Sequence, residues 1–310
     1  MTEPKRFLVT GAGGCIGAWT VRQLVSEGAG VVAFDLAANP RRLELLMSEE
    51  ELSRVAWVED DITSLQSVER VLEEHGIEAI VHLAALQVPF CRADPPLGAR
   101  VNVEGTVNVF EAVKRRGGRF GPVIYASSIA AHDDSTLYGV YKRANEGTAA
   151  VYHSEHGISS LGLRPHTVFG PGRDQGVTST PTVAMVAAAA GRDYEISFGG
   201  RVAMQYAPDV AACFVAAARS DYDGHVVSDL DGDVVSLDEI VAAIDAAAPD
   251  AAGRITHAEQ PLPFPAQADG GLLREAIGPV ARTPFREAVA DSVERFRRLL
   301  DRGLVTAPDA

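Results

Sequence analysis

Tyr138 and Lys142 stand four residues apart in a stretch of helical pattern. Ser127-Ser128 close an apolar run shortly before them. On a helix, i and i+4 share a face, so the Lys142 ammonium can lie near the Tyr138 phenol. A free tyrosine has a pKa of about 10, and bringing it near 7 requires about 4 kcal/mol. A unit positive charge at roughly 4 Å supplies about that much at an effective dielectric of 20. A tyrosinate of this kind can take the proton of a secondary alcohol while the hydride leaves for a cofactor. Without a cofactor site, the same two residues are an ordinary exposed helix pair.

That site is legible at Thr10-Gly11-Ala12-Gly13-Gly14-Cys15-Ile16-Gly17. An apolar run, Phe7-Leu8-Val9, precedes it, and a helical pattern from Trp19 to Glu27 follows. In such a strand–turn–helix unit Gly11 permits the turn and Gly14 lets backbone approach a pyrophosphate. Gly17 lets helix and strand pack closely. The helix N-terminus presents free N–H groups and a partial positive charge. The next apolar strand, Gly30–Phe34, ends at Asp35, placed to accept both ribose hydroxyls of an adenosine. Arg41 and Arg42 offer the competing reading, a ribose phosphate. A phosphate about 4 Å from Asp35 would be repelled by about 4 kcal/mol at a dielectric of 20, which favours NAD.

Composition narrows the partners. Of 310 residues, 42 are Asp or Glu and 28 Lys or Arg, a formal net charge of -14. Such a chain is poorly suited to a nucleic-acid backbone or an anionic membrane. No apolar run is long enough to span a bilayer, and Met1–Arg6 shows no signal-peptide pattern. Cys15, Cys91 and Cys213 are scattered, show no metal-ligand spacing, and suit a reducing compartment, the cytoplasm. His153 and His156 lack a second ligand pair and read as surface residues.

Strands and helices alternate along the first half. Val55–Val58 is a strand. Thr63 and Gln66 form a capping-box pattern for a helix over Ser64–His75 that stops at Gly76. Ala79–Leu83 is a strand running into small residues, Ala84-Ala85. Val101–Arg116 is a helix with Val103, Val107, Phe110 and Val113 on one face, ended by Gly117-Gly118. Pro122–Ala126 and Ser159–Leu163 are further strands. The order predicts an α/β fold: a doubly wound parallel Rossmann sheet with a smaller, partly interleaved α/β substrate domain. Residues 1–169, with 203–230 returning, form the first part; 170–202 and 231–310 form the second.

In the second part, helices are expected over Pro181–Ala190 and Pro208–Ala218. Strands are expected over Tyr194–Phe198, Val202–Tyr206 and His225–Ser228. Ser236 and Glu239 make a capping box for a helix to Ala247. Pro261–Pro265 is a stiff loop. A last helix opens at Thr283-Pro284, with Phe285, Val289, Val293, Phe296 and Leu300 on one face.

Together these residues resemble the extended short-chain dehydrogenases/reductases, the NAD-dependent epimerase/dehydratase family. The matching motifs are Thr10-Gly11…Gly14…Gly17, Asp35, Asp61-Ile62, His82-Leu83-Ala84-Ala85, Asn102–Thr106, Ser127-Ser128, Tyr138…Lys142 and Leu163-Arg164-Pro165…Gly172. Looser matches follow at Asp209-Val210-Ala211 and from Ala268 to Gly278. The resemblance implies that Gly11, Gly14, Cys15 and Ile16 hold the NAD pyrophosphate and Asp35 the ribose. Asp61 and Ile62 flank adenine, and Leu83, Ala84, Ala85, Asn102 and Pro165 line the cofactor path. Tyr138 becomes the acid/base, Lys142 the nicotinamide-ribose ligand that lowers the tyrosine pKa, and Ser128 the donor to the substrate oxygen. It also implies a homodimer in which Val101–Arg116 and Tyr138–His156 pair with their copies.

Three departures shape the functional expectation. Dehydratases carry Asp-Glu after the serine/threonine position, where this chain has Ile129-Ala130. The loop from Ser128 to Tyr138 is short. Nucleotide-sugar members place an arginine where alignment puts Val202, with Arg201 one residue off, and a second where this chain reads Pro261–Pro265. The expected activity is hydride transfer between NAD and a secondary alcohol or ketone of a small polyhydroxylated, sugar or sugar-acid-like substrate. A nucleotide-sugar 4-epimerase working through a 4-keto intermediate is the first alternative. A catalytically silent NAD-binding regulatory protein is the second.

Overall fold

The computed structural model describes residues 5–117, 120–263 and 265–308. Met1–Pro4, Gly118 and Phe264, on which parts of the sequence reading fall, lie outside the described residues. The strands are β1 (Arg6–Thr10), β2 (Gly30–Asp35), β3 (Val55–Glu59), β4 (Ala79–His82), β5 (Val123–Ala126), β6 (Ser160–Arg164), β7 (Thr167–Phe169), β8 (Tyr194–Ile196), β9 (Arg201–Tyr206), β10 (His225–Asp229), β11 (Asp233–Ser236) and β12 (Ile255–His257).

The chain divides into two compact units: Met1–Pro165 with Ala211–Leu230 and Gly270–Val280, and His166–Val210 with Asp231–Asp269 and Ala281–Ala310. Against the expected 1–169 and 203–230, the first unit's own limits are thus Pro165 and Ala211–Leu230, and it also takes Gly270–Val280.

The first unit carries a seven-stranded sheet in the order β10-β6-β5-β4-β1-β2-β3. Every pairing in it is parallel. The order reverses between β1 and β4, so the strand ends there open a crevice, where ligands of doubly wound folds bind. β1 and β4 are buried from Phe7 to Thr10 and from Ala79 to His82, as strands covered on both faces must be. The core around them gathers Leu8, Val32, Phe34, Ile80, Phe110 and Tyr125.

Several local expectations are corrected. The first helix runs Cys15–Ser26, so Cys15 is its first residue rather than part of the turn. The helix over Leu65–Glu74 is capped by Ser64, whose side chain accepts from Ser67 N–H; Thr63 and Gln66 form no box. The long helix is α-helical only over Gly105–Arg116. Arg100–Glu104 is a π turn. That turn rotates Asn102 inward and leaves Val103 and Val107 half-buried.

The second unit holds a three-stranded sheet, β11-β9-β7, and a two-stranded one, β12-β8. β7, β11, β12 and the Gly271–Ile277 helix of the first unit are additions to the sequence reading. Each is short, and short elements leave too little periodicity to read. The Ser236–Glu239 capping box is present. The last helix is Phe285–Asp301, with Pro284 as its N-cap rather than its first residue, and Leu299, not Leu300, in the core.

Candidate active site

β1 delivers the glycine turn, and its geometry follows from crowding. Gly11 has φ +66°, and a Cβ there would lie 2.7 Å from Ala84 N. A Cβ on Gly17 would lie 2.2 Å from Gly11 O. Only glycine lets the helix start this close beneath the turn. Gly14 is the N-cap, without a side-chain cap and with no acid in the first helical turn. Ile16 O accepts from Thr20 Oγ1. The helix end therefore turns its positive dipole, with no acid in the first turn to offset it, toward an incoming anion, which fits a dinucleotide pyrophosphate.

Asp35 ends β2 beside this turn. Its Oδ2 accepts from Gly13 N–H at 2.9 Å and its Oδ1 from Leu36 N–H at 2.8 Å. Arg42, the rival phosphate ligand, donates to Gly13 O at 2.8 Å. Asp61 Oδ1 accepts from Thr63 N–H, and Ile62 is buried with its carbonyl held by Asn108.

A buried polar chain fixes the end of β4. Thr106 Oγ1 donates to Asn102 O at 2.9 Å, so it accepts from His82 Nε2 at 3.1 Å. His82 Nδ1 then accepts from Thr10 Oγ1 at 2.8 Å. Thr10 Oγ1 in turn accepts from Leu83 and Ala84 N–H, each at 3.2 Å. This assigns His82 as the neutral Nε2–H tautomer. Burial, reinforced by the Lys142 charge, pushes its pKa down to about 3.

Asn102 is fully buried, and its amide grips Leu86 from both sides. Oδ1 accepts Leu86 N–H at 2.7 Å and Nδ2 donates to Leu86 O at 2.9 Å. Asn102 thus sets the path of the Leu83–Leu86 segment, Ala85 included, through backbone.

Thr136 caps the Leu137–His156 helix and starts it just before Tyr138. Lys142, one turn on, is buried and donates to Ala126 O, the last residue of β5, at 2.7 Å. Its Nζ lies 5.6 Å from the Tyr138 ring centroid. Burial lowers its pKa to about 8, opposed by Cys91 and Glu146.

The two serines are separated by their partners. Ser127 is buried and its hydroxyl donates to Glu146 Oε1 at 2.5 Å. Ser128 Oγ accepts from Ala130 N–H at 3.2 Å, which leaves its own proton without an acceptor among the described residues. Pro165 supports this turn, its carbonyl accepting Ile129 N–H at 3.1 Å.

The clamp on Ser127 was missed from sequence. Arg164, at the end of β6, grips Glu146 in a bidentate pair of 2.7 and 2.6 Å, and its other nitrogen reaches Asp229 at 3.5 Å. The available signal was helical spacing: Glu146 follows Lys142 as Lys142 follows Tyr138, all on one face.

The profile of the NAD dependent epimerase/dehydratase family matches residues 7–228. The chain belongs to this family. It is an NAD-dependent enzyme with the Rossmann fold of that family. It is 30% identical to the UDP-glucose 4-epimerase of Mycolicibacterium smegmatis, across 94% of this chain and 98% of that protein. The UDP-glucose 4-epimerase of Thermus thermophilus, solved with NAD, superposes with a TM-score of 0.76 at 23% identity, covering 94% and 99% of the two chains. A partial-consensus L-threonine 3-dehydrogenase superposes with a TM-score of 0.80 at 22% identity, covering 95% and 100%. Among the described residues, no helix is long and apolar enough to cross a membrane.

Proposed function

We propose that this enzyme oxidises a secondary alcohol, or reduces the matching ketone, on a small polyhydroxylated substrate. NAD, when bound, supplies the hydride acceptor. Tyr138 takes the alcohol proton onto its phenolic oxygen as the carbonyl forms. Lys142 stabilises the tyrosinate electrostatically, while its bond to Ala126 O keeps the ammonium from swinging away. Ser128 donates its unused proton to the substrate oxygen, and the clamp on Ser127 holds the strand end that carries it. Gly11, Gly14, Cys15 and Ile16 cradle the pyrophosphate and Asp35 the adenosine ribose. Asp61 and Ile62 flank adenine, and Leu83, Ala84, Ala85, Asn102 and Pro165 shape the cofactor path. Elimination of water lacks its pair, since Ile129-Ala130 follow Ser128.

The observation that carries the substrate class is the regularity of β9. Its pairing with β11 runs without a bulge, Ser236 to Arg201 and Val235 to Val202. Adjacent strand residues face opposite sides. Val202 is 1% exposed in the core. Arg201 points the other way, donating to Val234 O at 2.7 Å and lying 3.7 Å from Glu239. It does not replace the arginine that nucleotide-sugar members carry at the Val202 position. A charge-assisted bond to a diphosphate contributes about 1.5–3 kcal/mol. Two missing arginines therefore weaken a nucleotide sugar by roughly two to four powers of ten. Calorimetry with a uridine diphosphate sugar tests this. Weak binding, unchanged by Arg201→Ala, is expected; low-micromolar affinity lost in that variant sinks the reading. The M. smegmatis likeness favours a second reading, a nucleotide-sugar 4-epimerase, and the same titration decides between them.

The second unit serves as the substrate-binding domain in this scheme. Cys15, Cys91 and Cys213, none in a disulfide, suit the cytoplasm. Leu137, Val140 and Val151 are exposed on one helix, which supports a homodimer through it. Light scattering at micromolar concentration should read a dimer, and a monomer alone would count against it.

A further inference from the structure

We propose that Arg42 is a positioning residue of the cofactor site: it holds the Gly13 carbonyl, and with it the glycine turn, in the form that receives the NAD pyrophosphate. This rests on the reading of that turn as the pyrophosphate cradle and goes beyond it, and it is independent of the substrate.

Gly13 is gripped at both of its backbone polar groups. Its N–H donates to Asp35 Oδ2 at 2.9 Å, and its carbonyl accepts from Arg42 Nη1 at 2.8 Å. A Cβ on Gly13 would lie 3.2 Å from Asp35 Oδ2 and 3.4 Å from Asn39 O, so the residue packs flush against the end of β2 and the loop after it. Two backbone bonds complete the turn: Gly14 N–H donates to Gly11 O at 3.0 Å, and Gly11 N–H to Phe34 O at 2.9 Å. The Arg42 bond differs from these in being charge-assisted, which makes it a stronger tie. Arg42 also reaches the turn from a fixed base. Leu43, its neighbour, is fully buried, and Leu46 O accepts from Arg22 Nε at 3.0 Å. Arg22 lies on the Cys15–Ser26 helix, so the segment carrying Arg42 is fastened to the helix that the turn opens.

The charge is placed for an anion rather than for the helix alone. A helix start carries partial positive charge and favours acids beside it. Arg42 instead bonds the residue just before the N-cap, Gly14. Asp35, on the other side of Gly13, offsets part of the resulting repulsion, but its carboxylate also opposes an incoming pyrophosphate. The guanidinium counters that opposition while it holds the turn. The same bond decides what Arg42 does not do. A cation committed to Gly13 O is not a dedicated ligand for a ribose phosphate, so its loss should weaken NAD and NADP alike.

The full chain is titrated by calorimetry with NAD, NADP, ADP and adenosine. Arg42→Gln should weaken NAD, NADP and ADP by one common factor, about tenfold, and leave adenosine, which lacks the pyrophosphate, nearly unmoved. Arg42→Lys, which keeps the charge and a donor, should recover part of the loss. A loss confined to NADP would make Arg42 a phosphate ligand and overturns the proposal. Unchanged ADP affinity overturns it too, as does an equal loss for adenosine, the mark of a general disturbance of the fold. Gly14→Ala separates the proposal from the reading beneath it, since a Cβ there would lie 3.1 Å from Gly11 O and crowd the turn. If Gly14→Ala weakens ADP and Arg42→Gln does not, the role of Arg42 alone falls. If neither variant moves ADP affinity, the pyrophosphate cradle falls with it. Should Arg42→Gln not fold, Arg42→Met, which keeps an unbranched stem without a donor, takes its place with the same expected losses.

Discussion

The strand ends of the first unit and the β11-β9-β7 sheet of the second carry information in different ways. In the first unit, residues proposed to do chemistry follow strands or open helices: Gly11 after β1, Asp35 at the end of β2, Leu83 after β4, Ser128 after β5. Parallel strands separated by crossover helices bring all these ends to one edge, so contiguous motifs become contiguous space. In the second unit the decisive fact is a parity. Arg201 and Val202 are neighbours in sequence, but the strand turns one outward and the other into the core. A motif search sees only that the two are adjacent; an unbulged ladder puts them on opposite faces.

The sharpest way to break this contrast is at Tyr138. Tyr138→Phe should lower turnover by about 10²–10⁴-fold, the usual worth of a positioned acid/base, with NAD affinity nearly unchanged. Steady-state kinetics beside a cofactor titration checks it, and retained turnover would falsify the acid/base role.

A second effect concerns stability at the same strand ends. The His82 pKa is pushed from 6.5 to about 3 in the fold. Between these values the unfolded chain takes up a proton that the fold refuses. Stability present above pH 6.5 is therefore lost as pH falls toward 3, by about 5 kcal/mol. His82→Gln keeps a donor and an acceptor but does not titrate. Urea unfolding from pH 7 to 4 should show a flatter acid limb for it, and identical limbs would remove His82 as the cause.

The smallest effect belongs to the second unit. Ser236 accepts from Glu239 N–H at 3.1 Å and opens the Leu237–Ala247 helix. Ser236→Ala should cost about 1 kcal/mol of stability and leave NAD affinity untouched. A matching fall in NAD affinity would show that the two regions do not divide the work as argued.

Reading from sequence went astray for identifiable reasons. Thr63 and Gln66 satisfy the capping-box pattern, but Ser64 is one residue nearer the helix and takes Ser67 N–H instead. Val103 and Val107 fit a smooth α-helical stripe. The π turn at Arg100–Glu104 shifts the register, so the buried face carries Asn102, Thr106, Val109 and Val113. The network of Ser127, Glu146, Arg164 and Asp229 joins four elements far apart in sequence, and no local pattern announces such a closure.

The sequence by itself determined the parallel α/β architecture, the glycine turn with its acid, and the Tyr138–Lys142 pair. Each depends on short-range spacing: strand and helix periods, a turn that only glycine fits, one helical step. Tertiary structure alone decided which serine keeps a free proton, what Asn102 grips, which tautomer His82 adopts, and where Arg201 points. These depend on partners brought close by folding, where burial removes water and leaves each polar group only the neighbours that the packing provides.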